Sequence, residues 1–372
     1  MHDVTRLVSN KKDLDRFIDL PFDIYKDSPY WVPPLKITVK DIFKPNHPFF
    51  DQAKIKSWVA EKDGKVVGRI TAIVNFAHNE FHQEKCGFFG FFECIDDESI
   101  ARELFKQAED YLKAEGMEIV RGPVSPSTNY ECGTLVEGFD NMPYLMMPYN
   151  FPYHETLITG QGYNKAKDLI SYHLRTDFEM PEVFKRLAQR IQEKYKVTYR
   201  HINLKNWDHE KKVVIEIYNA AWEKNWGFIP MPPKEMEHLI NEMKQLVEEK
   251  LITFALVDGK EVGFITVLPD YNQVFKQIPN GRLLPFGIFK LFRAKKYINR
   301  VRVLTLGILP EYRKMGIPTL LFIKAKEEAQ KAGYIDAEMG WVLEDNLPMV
   351  KPLHKMGATP YKTYRIFEKT LK

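Results

Sequence analysis

Between residues 301 and 333 an apolar run, a turn and an amphipathic stretch follow one another. Val303–Leu309 is apolar enough to predict a buried strand. Pro310 to Gly316 reads as a turn. After it, Ile317, Leu320, Leu321, Ala325 and Ala329 recur on one helical face. Pro318 fits the first helical turn, where a missing N–H matters least, and Ala332-Gly333 ends the helix. A second pattern is the hairpin. Ser57–Ala60 and Val66–Thr71 flank Asp63-Gly64-Lys65, and an Asp-Gly turn between alternating runs predicts two paired strands.

The same words return at 254–266, as Phe254-Ala255-Leu256, Asp258-Gly259-Lys260 and Val262–Thr266. Asp-Gly-Lys-x-Val-Gly-x-Ile-Thr matches at seven of nine positions with an offset of 195 residues, Asp63 to Asp258. We read this as an internal duplication. The halves continue alike. The first has an aromatic strand at Gly87–Cys94 and a helix over Glu98–Ala114, with Ala101, Leu104, Phe105, Ala108 and Leu112 on one face. Gly116 stops the helix, and strand Glu118–Gly122 follows. The second has Val303–Leu309, the 318–332 helix and strand Ile335–Val342. The pattern predicts an α+β (mixed α/β) chain of two tandem domains, each a central mixed sheet flanked by helices. The expected partition is 1–178 and 197–372, joined by a linker helix within 179–196. A helix around Leu14–Leu20 and a packed arm at Tyr30–Leu35 precede the first hairpin.

Chemistry concentrates at the turn before the 318–332 helix. A strand feeding a glycine-bearing turn at a helix N-terminus makes an anion cradle, because free N–H groups and the positive end of the helix dipole converge there. Arg313 and Lys314 add charge, and Gly316 lets a phosphate approach the backbone. The bland alternative is an ordinary strand, turn and helix with surface charges. The corresponding turn of the first half carries Ile95-Asp96-Asp97-Glu98, which caps a helix well and repels a pyrophosphate. Only the second half is therefore expected to hold an anionic ligand, with the first a degenerate scaffold or a wall of the acceptor site.

Arg313-x-x-Gly316-x-Pro318, preceded by Leu306-Gly307-Ile308-Leu309-Pro310-Glu311-Tyr312, resembles the fourth strand and pyrophosphate loop of the GNAT acyltransferases. Asn346 followed by Gly357 resembles that family's cofactor-side motif. Two departures stand out. Pro318 replaces a final Gly or Ala and removes an N–H. Leu353 takes the place where members carry a tyrosine general acid, with His354 its neighbour. The resemblance implies acetyl-CoA or a longer acyl-CoA as co-substrate, an amine acceptor and no metal. It places cofactor contacts at Leu306, Gly307, Ile308, Arg313, Lys314, Met315, Gly316, Ile317, Pro318, Thr319 and Asn346. A backbone N–H near Gly307–Ile308 would polarise the thioester carbonyl. Glu338, on a central strand, is the first candidate base and His354 the second, with Tyr312 and Tyr364 as further candidate acids.

For the acceptor, Asn129 and Tyr130 stand in a loop-rich insertion at 123–165, and Trp226 and Phe228 follow a helix end. Each could equally be ordinary packing. Residues 271–302 hold eight Lys/Arg and no Asp/Glu, and 283–298 reads as an amphipathic surface helix. That stretch keeps open a second reading, an acyltransferase acting on a long-chain lipid amine at a membrane surface. Pro318 and Leu353 motivate a third, a non-catalytic acyl-CoA-binding scaffold.

Composition narrows the field. At 372 residues, 44% apolar and 28% charged, the chain suits two globular domains. A net charge of +4 gives no case for nucleic acid. The three cysteines follow no metal spacing, and His78-x-x-x-His82 shows no third ligand in the sequence. The N-terminal stretch lacks the apolar core of a signal peptide, and no run is long enough to span a bilayer. A cytoplasmic protein is expected, either free or peripheral on the inner face of the membrane.

Overall fold

The repeated Asp-Gly turns have the backbone that a two-residue hairpin demands. Asp63 and Gly64 lie at φ +50° and +77°, and Asp258 and Gly259 at +50° and +78°. These values come from a computed structural model, which describes residues 4–223 and 225–371. The chain forms two compact units. One runs to Leu169 and takes in Phe275–Phe292 and the residues from Lys362 on. The other holds Ile170–Val274 and Arg293–Tyr361.

In the first unit the chain runs through β1 (Val4–Leu7), α1 (Lys11–Ile24), α2 (Lys36–Ile42), β2 (Ala53–Lys62), β3 (Lys65–Asn75), α3 (Phe76–His82) and β4 (Cys86–Cys94). It continues with α4 (Glu98–Ala114), β5 (Ile119–Gly122), β6 (Val124–Ser125), β7 (Glu131–Cys132), β8 (Thr134–Glu137), α5 (Tyr153–Thr159) and the start of β9 (Asn164–Arg175). The second unit adds α6 (Glu182–Tyr195), β10 (Thr198–His201), α7 (Trp207–Trp222), α8 (Pro233–Met243), β11 (Ile252–Val257) and β12 (Lys260–Pro269). After α9 (Asn272–Phe275) and α10 (Gly287–Phe292) come β13 (Arg300–Ile308), α11 (Ile317–Lys331), β14 (Asp336–Leu343), α12 (Leu347–Lys355) and β15 (Thr359–Thr370).

Each unit has the mixed sheet that the pattern predicts. In the first, β1 to β5 follow in order, antiparallel until β4 and β5 pair in parallel. In the second, β10 to β13 are antiparallel and β13 and β14 run parallel. The duplication extends to irregularities. A register shift falls between Ala60 and Glu61 in β2 and between Ala255 and Leu256 in β11, positions again 195 apart. Helix α4 buries Ala101, Leu104, Phe105, Ala108 and Leu112 against Ile70, Ala72 and Phe89. Helix α11 buries Ile317, Leu320, Leu321, Ala325 and Ala329 against Ala255, Val262, Ile265 and Val267. Full burial of each such leucine or isoleucine contributes about 1.5–3 kcal/mol, which is why these faces set the helix positions.

The units are drawn differently from a cut near residues 178–197. Segment 179–196, expected as a linker, contains α6, which packs into the second unit's core through Ile191. Two later segments fold with the first unit. Phe367–Thr370 of β15 pairs with Ile119–Gly122 of β5, and the Gly281 carbonyl accepts the Lys36 N–H at 2.9 Å. The expected helix over 283–298 is shorter: α10 covers 287–292, and a single 3₁₀ turn covers 294–296.

Candidate active site

In the second unit β13 and β14 are paired only from Arg300–Asp336 to Val303–Met339. Beyond that point β13 continues to Ile308 against β12, while β14 runs on to Leu343. Parallel strands that part expose N–H and C=O groups to an extended ligand laid between them. A register shift against β12 leaves Leu304 as an extra residue between Val303 and Thr305. Such a bulge reverses the alternation of side chains. Val301 and Val303 pack toward α11, and after the bulge Leu306 and Ile308 do so. Gly307 then takes the opposite face, where a Cβ would come within 2.6 Å of the Trp222 ring and 3.2 Å of Phe264. Beside the last paired residues is an apolar cavity of ≈ 40 Å³, lined among others by Val303, Met339, Phe322 and Met356.

The cradle is built as the spacing predicts. Pro310–Met315 forms 3₁₀ turns, Gly316 sits at φ +76°, and α11 starts at Ile317. Only glycine takes that conformation freely, and here it ends the 3₁₀ turns and begins α11. A Cβ on Gly316 would also meet Ile191 Cδ1 at 2.5 Å. Lys314 is exposed and Met315 half-buried on the core; Thr319 turns its N–H back to the Gly316 carbonyl at 3.0 Å. Pro318, second in the helix, contributes no amide. Arg313 is turned elsewhere: its guanidinium donates to the Ala221 carbonyl at 2.7 Å and the Ala220 carbonyl at 3.4 Å, capping the end of α7. Asn346 precedes α12, its side chain making no capping bond among the described residues.

Glu338 is fully buried on β14. The Tyr361 hydroxyl donates to its Oε2, and Arg302, its register partner on β13, places Nε 3.5 Å from Oε1. Arg302 also donates to the Gly340 carbonyl through Nε at 3.2 Å and Nη2 at 2.8 Å. His173 extends this polar row, with Nε2 3.0 Å from Asp336 and its ring 5.9 Å from Tyr361. Arg302 and Tyr361 were not singled out in the sequence. The available signal was a charged residue at alternate positions of two otherwise apolar strands. His354 is exposed at the end of α12, edge-on to Tyr172 at 5.4 Å, while Leu353 is buried. Tyr312 is half-buried on the second unit's core. Phe228 is buried after α7, 6.3 Å from Tyr218, and Trp226 is half-buried beside it in the chain.

The first unit answers each feature with its own chain. β4 and β5 are paired from Cys86–Ile119 to Phe88–Arg121. Past that point β6 enters: a Cβ on Gly90 would overlap the Val124 carbonyl oxygen, and the Phe91 N–H donates to Ser125 Oγ at 3.0 Å. At the α4 N-terminus the Asp97 carboxylate accepts the Ser99 and Ile100 amides at 3.0 and 3.4 Å. Hydrogen bonding from the Ser99 hydroxyl above all lowers its pKa to about 2. Asn129 and Tyr130 turn on Ser127, and the Tyr130 ring lies 6.5 Å from Phe49. Tyr364 is buried in this unit. The His78 and His82 rings lie 4.4 Å apart, tilted by 38°, and folding brings Glu84 and Cys86 to His78. The Arg121 guanidinium already occupies Glu84 at 2.9 Å, however, and burial lowers the His78 pKa to about 4.

The chain belongs to the GNAT acetyltransferase family, whose model matches residues 212–358, and is therefore an acyl-CoA-dependent N-acyltransferase. Over 375 residues it is 37% identical to protein YghO of Escherichia coli (strain K12), spanning 99% of this chain and 95% of that one. It is 34% identical over 372 residues to a bacterial ceramide synthase of Caulobacter vibrioides (strain NA1000 / CB15N), covering 98% and 96%. Among solved structures, a tandem GNAT protein from the clavulanic acid biosynthesis pathway superposes with a TM-score of 0.60 at 13% identity, over 100% of this chain and 99% of that one. A GCN5-related N-acetyltransferase from Sphaerobacter thermophilus gives 0.54 at 10% identity, over 100% and 96%. These two likenesses are of fold, and they carry the tandem arrangement. Among the described residues, no helix is long and apolar enough to cross a membrane.

Proposed function

We propose that the protein transfers an acyl group from acyl-CoA to the amino group of a long-chain lipid amine, working at the inner surface of the membrane. The carrying observation is the end-to-end relationship with a bacterial ceramide synthase. A ceramide is the amide of a fatty acid and a long-chain amino alcohol, so its synthesis is the N-acyl transfer that this fold performs. The acceptor chemistry fits the second unit, and the first serves as scaffold because β6 and Asp97 already fill its split and its helix end.

Bound acyl-CoA supplies the thioester carbonyl carbon. The chain's residues do the rest. The Gly316 turn and the Ile317 amide at the start of α11 hold the pyrophosphate, with Lys314 adding charge, while Leu306, Gly307 and Ile308 present the strand edge along which the thioester arm lies. An amide N–H near Gly307–Ile308 polarises the carbonyl. The acceptor must be a neutral amine to attack. Tyr361 passes the amine proton to Glu338, and Arg302 steadies the carboxylate's charge until that proton arrives. The C–N bond forms as the C–S bond breaks, the leaving thiolate takes a proton from solvent, and Glu338 gives its proton back to solvent through Tyr361.

The test is a matrix of acyl donors and acceptors. Palmitoyl-CoA or acetyl-CoA is offered with a long-chain 2-amino-1,3-diol or with a short soluble amine, following thiol release and the mass of the amide. Amide formation on the long-chain amine, at least ten-fold faster than on the short one, is expected. Equal rates on both, or amide on the short amine alone, would overturn the lipid reading.

A further inference from the structure

Residues 275–292 have no counterpart in the first repeat, yet they fold with the first unit. Their root is fixed. Lys276 Nζ donates to the carbonyls of Ser28 at 3.2 Å and Trp31 at 2.7 Å, and Ile278 is buried. Gly281 binds Lys36 at the start of α2, and Gly287 packs where a Cβ would lie 3.3 Å from Ile278. The tip is the reverse. Leu284, Phe286, Phe289 and Phe292 are 73, 75, 61 and 80% exposed. Ile37, one residue beyond Lys36 on α2, is also exposed. Four large apolar side chains stand exposed within nine residues beyond that bonded root, a concentration of the kind that marks an interaction surface.

Charge selects the occupant. From 271 to 302 there is no acidic residue. Arg282 and Lys290 lie within the segment, Lys290 donating to the Gln277 carbonyl, and the chain continues with exposed Arg293, Lys295 and Lys296. A second copy of the same basic face would be repelled. An anionic bilayer satisfies both features, taking phenylalanines into the acyl boundary while lysine and arginine meet the headgroups.

We propose that residues 282–292 dock the enzyme on an anionic membrane surface by inserting Leu284, Phe286, Phe289 and Phe292. This deepens the lipid-amine reading and rests on it for its purpose, but the contact itself is measured without any substrate. The full chain is sedimented with vesicles of phosphatidylcholine alone or mixed with phosphatidylglycerol. Binding to the mixed vesicles is expected, at least ten-fold stronger than to phosphatidylcholine and weakened by salt. Phe286→Asp/Phe292→Asp should lose it at least ten-fold while keeping its thermal midpoint and its thiol release with a short soluble amine. Arg282→Gln/Lys290→Gln should keep residual binding but lose much of the anionic preference, since each basic residue near such a surface strengthens binding roughly five-fold. Wild-type protein that ignores the mixed vesicles, or a Phe286→Asp/Phe292→Asp variant that binds them as well as wild type, overturns the proposal. So does a wild-type dimer that this variant converts to monomer, since a second copy would then cover the patch. Vesicle binding without turnover of the long-chain amine would retain the docking surface and reject the acceptor.

Discussion

Gly316→Ala separates the cradle from ordinary helix chemistry, because the same helix carries its own control. Gly316 precedes α11 at φ +76° and Gly333 follows it at +86°. An alanine in the left-handed region costs roughly 1–2 kcal/mol at either end. At Gly333 nothing lies within 4 Å of the added carbon, so that is the whole cost. At Gly316 the carbon would lie 2.5 Å from Ile191 Cδ1. That atom ends a flexible side chain, and pushing it off its rotamer adds roughly 0.5–1.5 kcal/mol. Gly316→Ala should therefore be the less stable variant by about 1 kcal/mol. The ligand increment is the sharper readout. Acyl-CoA at about a hundred times its dissociation constant adds about 2.7 kcal/mol to the folded state. Urea unfolding with and without palmitoyl-CoA should show that increment in wild type and in Gly333→Ala, and little of it in Gly316→Ala. Calorimetric titration should give one site per chain. An undiminished increment in Gly316→Ala would refute the placement of the pyrophosphate, and two sites per chain would refute the reading of β6 as filling the first split.

Two further outcomes follow from buried and capping carboxylates. Glu338→Gln keeps the shape but removes the carboxylate charge 3.5 Å from Arg302, which is 4% exposed, and breaking such a buried pair costs about 3–5 kcal/mol. Turnover should fall in Glu338→Gln, and Arg302→Leu/Glu338→Leu should regain stability without regaining turnover; wild-type turnover in the glutamine variant would remove Glu338 from the role of base. Asp97 titrates at about 2 when folded, against 3.8 ordinarily, so its capping contribution is present above pH 3.8 and lost as the pH falls toward 2. Asp97→Ala should cost about 1 kcal/mol at neutral pH. Urea midpoints measured from pH 5 downward should show the gap from wild type closing, and a gap independent of pH would contradict the assignment.

What could be read from the chain alone followed the reach of each signal. Asp63-Gly64 and Asp258-Gly259 act through their own dihedral angles, and α4 and α11 through apolar positions a turn apart, so these elements were legible residue by residue. The Gly316 turn was legible for the same reason. Arg313 was read as a phosphate ligand because its neighbours in sequence are a strand end and a helix start, whereas the carbonyls it meets belong to α7, ninety residues earlier. The setting of Glu338 needs Arg302 from one strand and Tyr361 from beyond α12, a meeting that no local period encodes. Val124-Ser125 looks like loop between prolines. That it passes against Gly90 of β4, beyond the point where β4 and β5 part, is set by no local pattern.

The return of β15 to the first unit has a bearing on synthesis. Phe367–Thr370 lies against β5, Arg365 holds Asp168 at 2.8 Å, and Lys369 holds Glu109 at 2.8 Å. The hairpin, helix and split of that unit are all translated before the second unit begins. The strand that borders its sheet is translated only after the second unit's last segment, Arg293–Tyr361. The unit begun earlier is thus the later to be finished. Until that strand arrives, β5 offers an open edge, and a nascent chain stalled between residues 293 and 361 would carry a second unit still under construction and a first one awaiting its last strand.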